Sequence, residues 1–408
     1  MKLLIYEYIT GGGYAGKEIS PSILSEGFGM LRALISDFKA AGHFVTTFLD
    51  SRLTAFSSLV DADEIITPSP KEELEKTLTS LSESADATYI IAPESAQTLQ
   101  RLVECIEKAG GVSLNCSATA IEKISNKHTL YDELKRIGIR TPDTLMVDSC
   151  EDIKEIKHSV SELGFPLIFK PIDGVGCQGL SIVRNEKQIK SALDKLMKES
   201  LGRYFLAQKF VKGTASSVSL ISTEEEALPL TLNEQIVTLS PPSSDSAYTG
   251  GIVPLHHPLL EDALETAQRI VELFKGLRGY IGVDMVLTND EPVVMEINPR
   301  LTTSYIGLRK VINFNLAQAI VNAVLKHELP DNVQSGGYAF FSKVKVPTSL
   351  SKFHHKICKL KEIVSPPFSS IGENNAYALL IAHSTKLKSA KTKLYETTKC
   401  LINMASES

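Results

Sequence analysis

Gly282-Val283-Asp284-Met285-Val286-Leu287 runs into Thr288-Asn289-Asp290-Glu291-Pro292 and then into Val293-Val294-Met295-Glu296-Ile297-Asn298-Pro299-Arg300. Apolar runs on both sides of an Asn-Asp turn read as two antiparallel strands joined in a hairpin. Along the second strand Glu296, Asn298 and Arg300 are two apart, so the pleat points them to one face and Met295 and Ile297 to the other. Asp284 on the facing strand completes a polar cluster. Two carboxylates and an amide oxygen are hard ligands that suit Mg²⁺, which keeps its remaining positions for water and phosphate oxygens. An adjacent arginine can clamp a phosphate. The plain alternative is an exposed polar hairpin face, and the rest of the chain weighs against it by supplying a nucleotide site.

At 408 residues the chain is too long for one ordinary domain. Its 43% hydrophobic and 22% charged residues are those of a globular protein, and a formal charge of -5 gives no electrostatic case for nucleic acid. The expected partners are small molecules. Six cysteines never fall in C-x-x-C spacing, so neither a zinc knuckle nor a redox pair is signalled. Reduced thiols, a strand-like start at Lys2-Leu3-Leu4-Ile5-Tyr6 and no apolar run of membrane-spanning length predict a cytoplasmic protein away from membranes.

The first third alternates strand and helix. Residues 2 to 8, His43 to Leu49 and Ala87 to Ala92 read as strands, and Ser25 to Ala41 and Thr98 to Ala109 as helices, which means a parallel sheet. Gly11-Gly12-Gly13-Tyr14-Ala15-Gly16 fits G-x-G-x-x-G to the letter. A dinucleotide site needs those glycines to open a helix directly. Lys17 to Pro21 intervenes, so a mobile or substrate-facing loop is expected there instead.

A nucleotide site is assembled further on. Ser125 or Asn126 can cap a helix whose first turn holds Lys127, where a cation opposes the helix dipole and is suited to a ligand anion. Phe165 to Pro171 is a strand ending in Lys170, followed by Gly174-Val175-Gly176-Cys177-Gln178-Gly179 and a second strand, Leu180 to Val183. Glycines between strands let backbone N–H groups approach phosphate oxygens, and Lys170 is placed to neutralise them. Tyr204 to Gly213 is a strand entering a turn, where Gln208 and nearby backbone can meet an adenine edge. The Pro241 to Gly251 loop is long enough to be a lid. A tail of strands from Gly336 ends in a lysine-rich helix from Leu387 to about Met404, best read as a solvated face.

With these elements in this order the chain resembles an ATP-grasp enzyme over about residues 90 to 310. Tyr6-Glu7-Tyr8, Ala92-Pro93-Glu94 and Tyr248 to Pro254 are most similar to the tyramine–L-glutamate ligase group. The resemblance implies an α/β, ATP-grasp fold with an N-terminal Rossmann-like pre-ATP-grasp domain at 1–116. It implies an ATP-grasp domain at 117–330, with lobes of about 117–205 and 206–330, and a small C-terminal α+β domain at 331–408. Lys127 and Lys170 would hold the α- and β-phosphates, and Gly174, Gly176, Gln178 and Gly179 would belong to the loop closing over the β- and γ-phosphates. Gln208 with the backbone of Phe210 and Val211 would take adenine, and Asp284, Glu296 and Asn298 would carry Mg²⁺, with Mn²⁺ as an alternative. Where many members carry a ribose-binding Glu after the bridge, this chain has Lys212-Gly213-Thr214-Ala215-Ser216, so a hydroxyl must substitute or the ribose is held loosely.

The implied reaction is ATP-dependent joining of a carboxylate, such as glutamate, to an amine, such as a tyramine-like one. It passes through an acyl phosphate, with Arg300 stabilising the tetrahedral oxyanion and Lys170 the transferring phosphoryl group. The rivals are an ATP-grasp dipeptide or other amino-acid ligase, a nicotinamide-dependent oxidoreductase using Gly11 to Gly16, and a non-catalytic nucleotide sensor. The class leaves room for a homodimer.

Overall fold

A computed structural model describes residues 1–68, 71–172, 177–199, 202–357, 359–370 and 374–406. The N-terminal sheet is parallel in the order β3-β2-β1-β4, built from β1 (Lys2–Glu7), β2 (Phe44–Phe48), β3 (Glu64–Ile66) and β4 (Ala87–Ile91). β1 is apolar and buried from Leu3 to Tyr6 because both faces are covered. The pleat divides them: Leu3 and Ile5 enter one core cluster and Leu4 and Tyr6 another, as do Tyr89 and Ile91 against Ile90. The helix Pro21–Ala40 begins at its proline, four residues before the periodicity suggests, because a fixed φ favours the first helical turn. Between His43 to Leu49 and Ala87 to Ala92, where periodicity suggests no element, the chain forms β3 and the helix Lys71–Ser84.

The next sheet, in the order β5-β8-β6-β7, consists of β5 (Thr144–Asp148), β6 (Leu167–Pro171), β7 (Ser181–Val183) and β8 (Tyr204–Lys209). Phe169, Phe205, Val147 and Leu167 are in its own core. Since β8 pairs with both β5 and β6, the chain leaves this lobe after Lys209 and not at 205.

Eight strands then form one antiparallel sheet: β9 (Thr214–Thr223), β10 (Ala227–Thr238), β11 (Ala247–Val253), β12 (Arg278–Leu287), β13 (Pro292–Asn298), β14 (Tyr338–Pro347), β15 (Ile363–Phe368) and β16 (Asn375–Ser384). The order is β13-β12-β9-β10-β11-β14-β16-β15. The tail has its own core, including Val346, Leu380 and Leu394, under the helix Leu387–Ser406. Its strands nevertheless continue the large sheet, with Gly251 of β11 opposite Phe341 of β14. Half of the expected lid is therefore β11. The turn before it docks on the small lobe, where the Ser246 hydroxyl donates to Leu180 O at 2.9 Å and Ile182 N–H donates to Ser240 O at 2.9 Å.

The Gly11 to Gly16 segment is a run of turns ahead of the helix at Pro21. A Cβ at Gly11 would fall 2.5 Å from the Tyr6 ring and one at Gly13 would fall 2.4 Å from Tyr8, so these glycines serve close packing. That account disfavours a dinucleotide site, because no helix N-terminus receives the loop.

Candidate active site

The hairpin forms as its sequence requires, with Asp284 directly opposite Glu296 and Gly282 opposite Asn298. One detail differs from simple alternation. The register shifts between Asp284 and Met285, where Met285 pairs with Val294, so Met295 is an extra residue on β13. This bulge redirects a side chain expected on the far face. Met295 lines a slot together with Glu296, while Ile297 stays in the core. The freed Met295 carbonyl accepts a hydrogen bond from the Tyr131 hydroxyl at 2.8 Å.

That slot, of about 250 Å³, lies between the two lobes. Its lining brings together Lys127, Lys170, Gln178, Gln208, Phe210 and Val211 with Asp284 and Glu296, and Ile168, Leu180, Val237 and Leu239 supply apolar walls. Gly179 has a φ of 68° and packs on Pro171, which turns the glycine segment back toward β7. Gly174 and Gly176 lie outside the described residues. The Gln208 amide donates to Thr144 Oγ1 at 3.0 Å and is 1% exposed. Phe210 N–H donates to Pro166 O at 3.1 Å, so its carbonyl is what it can offer a ligand. Ser216 donates to Met285 O at 3.2 Å, is 0% exposed and lines neither the slot nor a neighbouring cavity, which disfavours it as the substitute hydroxyl for ribose.

A larger cavity, of about 710 Å³, adjoins the slot. Lys127, Cys177, Gln235, Val237, Asp284 and Glu296 line both, so the carboxylates of the hairpin stand at the junction. Asn298 and Arg300 face the larger space.

Charge is arranged tightly there. Lys127 Nζ is 2.9 Å from Glu296 Oε1. Burial opposes the charge of Glu296, but Lys127 and then Lys170 outweigh it and hold the carboxyl at about 2. Burial likewise opposes the charge of Lys127, and Glu296 overcomes it, pushing the ammonium up to about 12. Asp284 goes the other way: burial and then the Glu296 charge push it up to about 7, against hydrogen bonds from Asn298 and Gln235, the latter at 2.9 Å. Lys170 Nζ donates to the Tyr131 hydroxyl at 3.2 Å, and the ring of Tyr131 lies 5.8 Å below it.

Arg300 is held in a fork, its Nε and Nη2 donating to the two Glu94 oxygens at 2.9 and 3.0 Å and its Nη1 to Leu301 O at 3.1 Å. Burial opposes the guanidinium charge and Glu94 more than offsets it. The arginine therefore arrives at the cavity with its plane already fixed.

Among the described residues no three His, Cys, Asp or Glu side chains converge as a metal cage. Asp284, Glu296 and the Asn298 amide are an open oxygen set, and Mg²⁺ bound through one or two carboxylates and substrate phosphates takes such a set. Two carboxylates facing one another, one raised to about 7, fit a bound cation better than they fit each other.

Protein families match this arrangement in order: a pre-ATP-grasp domain over residues 43–121 and an ATP-grasp domain over residues 124–304. The chain belongs to the ATP-grasp superfamily. A tyramine–L-glutamate ligase of Methanocaldococcus fervens is 31% identical over 57% of this chain and 64% of its own length. One from Methanocaldococcus jannaschii is 29% identical over 81% of this chain and 92% of its own. Among solved structures, an ATP-grasp superfamily protein from Archaeoglobus fulgidus is 25% identical with a TM-score of 0.63, covering 93% of this chain and 99% of that one. A carboxyaminoimidazole ribonucleotide synthase from Aspergillus clavatus, complexed with ATP, shares the fold at 20% identity and a TM-score of 0.67, covering 100% of this chain and 98% of that one. By their names, the two Methanocaldococcus relatives join L-glutamate to tyramine. ATP-grasp enzymes use ATP and Mg²⁺.

The sequence reading assigned no role to Tyr131, Gln235, Glu94, Glu7 or Glu26, all of which lie at or beside the ATP-grasp cleft. A usable signal existed for two of them. Glu7 ends β1 and Glu94 follows β4, and ligands of open α/β sheets gather at the carboxyl ends of the strands.

Proposed function

We propose that this ATP-grasp ligase joins L-glutamate or a similar amino acid to a tyramine-like amine through an acyl phosphate. The observation that carries the reading is the meeting of an apolar interlobe slot and a larger, charged cavity at Asp284 and Glu296. A nucleotide in the slot would present its terminal phosphate at that junction, next to a carboxylate waiting in the larger cavity. The two tyramine–L-glutamate ligase relatives support this pair of substrates.

In the first step a carboxylate oxygen attacks the γ-phosphorus and ADP departs. Lys127 and Lys170 hold phosphate charge as the anions approach. Mg²⁺, with Mn²⁺ as an alternative, would be held by Asp284, Glu296 and Asn298 and supplies fixed positive charge to the triphosphate. In the second step the unprotonated amine nitrogen attacks the acyl carbon, phosphate leaves with the bonding pair and takes up the proton lost from nitrogen, and Arg300, fixed by Glu94, stabilises the tetrahedral oxyanion. The docked 240–246 turn and the 177–179 segment belong to the wall that keeps water from the intermediate.

No helix of the described residues is long and apolar enough to cross a membrane. The five described cysteines are free thiols, which supports the cytoplasm as the site of action. A homodimer is part of the proposal and is checked by light scattering. An ADP-release screen crossing L-glutamate and other amino acids with tyramine and other amines tests the reaction. Release that requires both glutamate and a tyramine-like amine is expected. Release with a second amino acid as acceptor would favour a dipeptide ligase, and no ADP with any pair would overturn ligation.

A further inference from the structure

The larger cavity has more acid than base in its walls. Glu7, Glu26, Glu94, Glu122, Asp284 and Glu296 face Lys127 and Arg300. Most of these acids have an occupation: Glu296 pairs with Lys127, Glu94 with Arg300 and Glu26 with Lys343, while Asp284 belongs to the metal set. Glu122 is exposed to solvent.

Glu7 has no such partner. It is 2% exposed, and it accepts hydrogen bonds from the backbone N–H and the hydroxyl of Thr10, both at 2.7 Å. Among the described residues no lysine, arginine or histidine is paired with it, and Arg300 acts on it only at a distance. Burying a carboxylate without a cation is costly, and burial pushes this one up to about 6. Gly27 packs closely on one side of the carboxyl group, where a Cβ would lie 2.8 Å from Glu7 Oε1. Ile9, Ile23 and Met30 line the same cavity.

We propose that Glu7 anchors a primary ammonium group of the substrate, with Ile9, Ile23 and Met30 flanking the carbon skeleton that carries it. This rests on the ligase reading above, in which two reactants carry such a group, the acceptor amine and the α-ammonium of the donor amino acid. An ammonium ion supplies the missing cation and charge-assisted hydrogen bonds to the carboxylate. The apolar neighbours favour a hydrocarbon or aromatic body over a polar one.

Isothermal titration of tyramine and of L-glutamate into the full chain loaded with Mg²⁺ and ADP, wild type against E7Q, tests this. One of the two ligands is expected to bind at least about tenfold more weakly to E7Q. Weakened tyramine assigns Glu7 to the acceptor, and weakened glutamate assigns it to the donor. The second variant, G27A, keeps the charge and sets a methyl group against the carboxylate, so it should weaken the same ligand and decides the matter if E7Q does not fold. Equal binding to wild type and variant, or no binding of either ligand to wild type, overturns the proposal. Failure of the ligase reading shows separately, as no ADP release by the wild type with any substrate pair.

Discussion

Glu296 and Glu7 are the same side chain in the walls of the same cavity, yet one is held at about 2 and the other at about 6. Both lose water. The difference is the company each keeps: Glu296 has Lys127 at 2.9 Å and the charge of Lys170, whereas Glu7 has a hydroxyl and backbone N–H groups. Pairing turns a carboxylate into a permanent anion able to hold a cation, and its absence leaves one that asks for a ligand's charge. One cavity thus contains a finished half and a half that a substrate completes.

Removing the finished half should have the largest effect. Lys127→Ala takes away the partner of Glu296 together with the proposed phosphate contact, and ligation should fall by roughly 10²–10³-fold, read as amide product per unit time at saturating ATP. Product at the wild-type rate would show that the pairing does not matter to the reaction. Arg300→Lys is gentler. It keeps the charge but cannot reproduce the fork to Glu94, and a loss of roughly 10–100-fold in kcat, larger than any change in the KM for ATP, is expected.

The unpaired half makes the opposite prediction for stability. Folding raises the Glu7 carboxyl from 4.5 to about 6. Its protonated form is favoured in the folded state, so its contribution is fully present below about 4.5 and is lost as pH rises through about 6. At pH 7 Glu7→Gln should therefore be more stable than the wild type by up to about 2 kcal/mol in denaturant unfolding, with no gain at pH 4. Equal stability at both pH values would mean that Glu7 already has a cation in solution. The smallest effect concerns the loop that carries Glu94. Ala96, exposed with a φ of 51°, sits where L residues are strained, and Ala96→Gly should raise stability by about 1 kcal/mol. A loss would mean that the loop depends on Ala96 for more than its backbone.

Much of this was legible beforehand, and for identifiable reasons. Strand Lys2–Glu7, the helix Thr98–Lys108 and the Asp284/Glu296 hairpin follow from periodicity, turn residues and caps, which act within a few residues. The bulge at Met295 was not legible, because an extra residue in a strand looks like any other until its partner strand is aligned. The helix Lys71–Ser84 was missed because its acidic residues hide a modest apolar stripe that includes Leu74 and Leu78. The tail read as a separate small domain, since hydrogen bonding between β11 and β14 leaves no mark on either sequence.

By itself the sequence determined which groups are present and how they lie along each element: the alternating Glu296, Asn298 and Arg300, the lysines at 127 and 170, and the apolar strands that bury the rest. Only the tertiary structure decided their electrostatic fate. Arg300 meets Glu94 across 206 positions of chain, and among the described residues no cation is paired with Glu7. Side-chain direction is a local property of φ and ψ, but the cost of a buried charge depends on what the fold brings within a few ångströms of it.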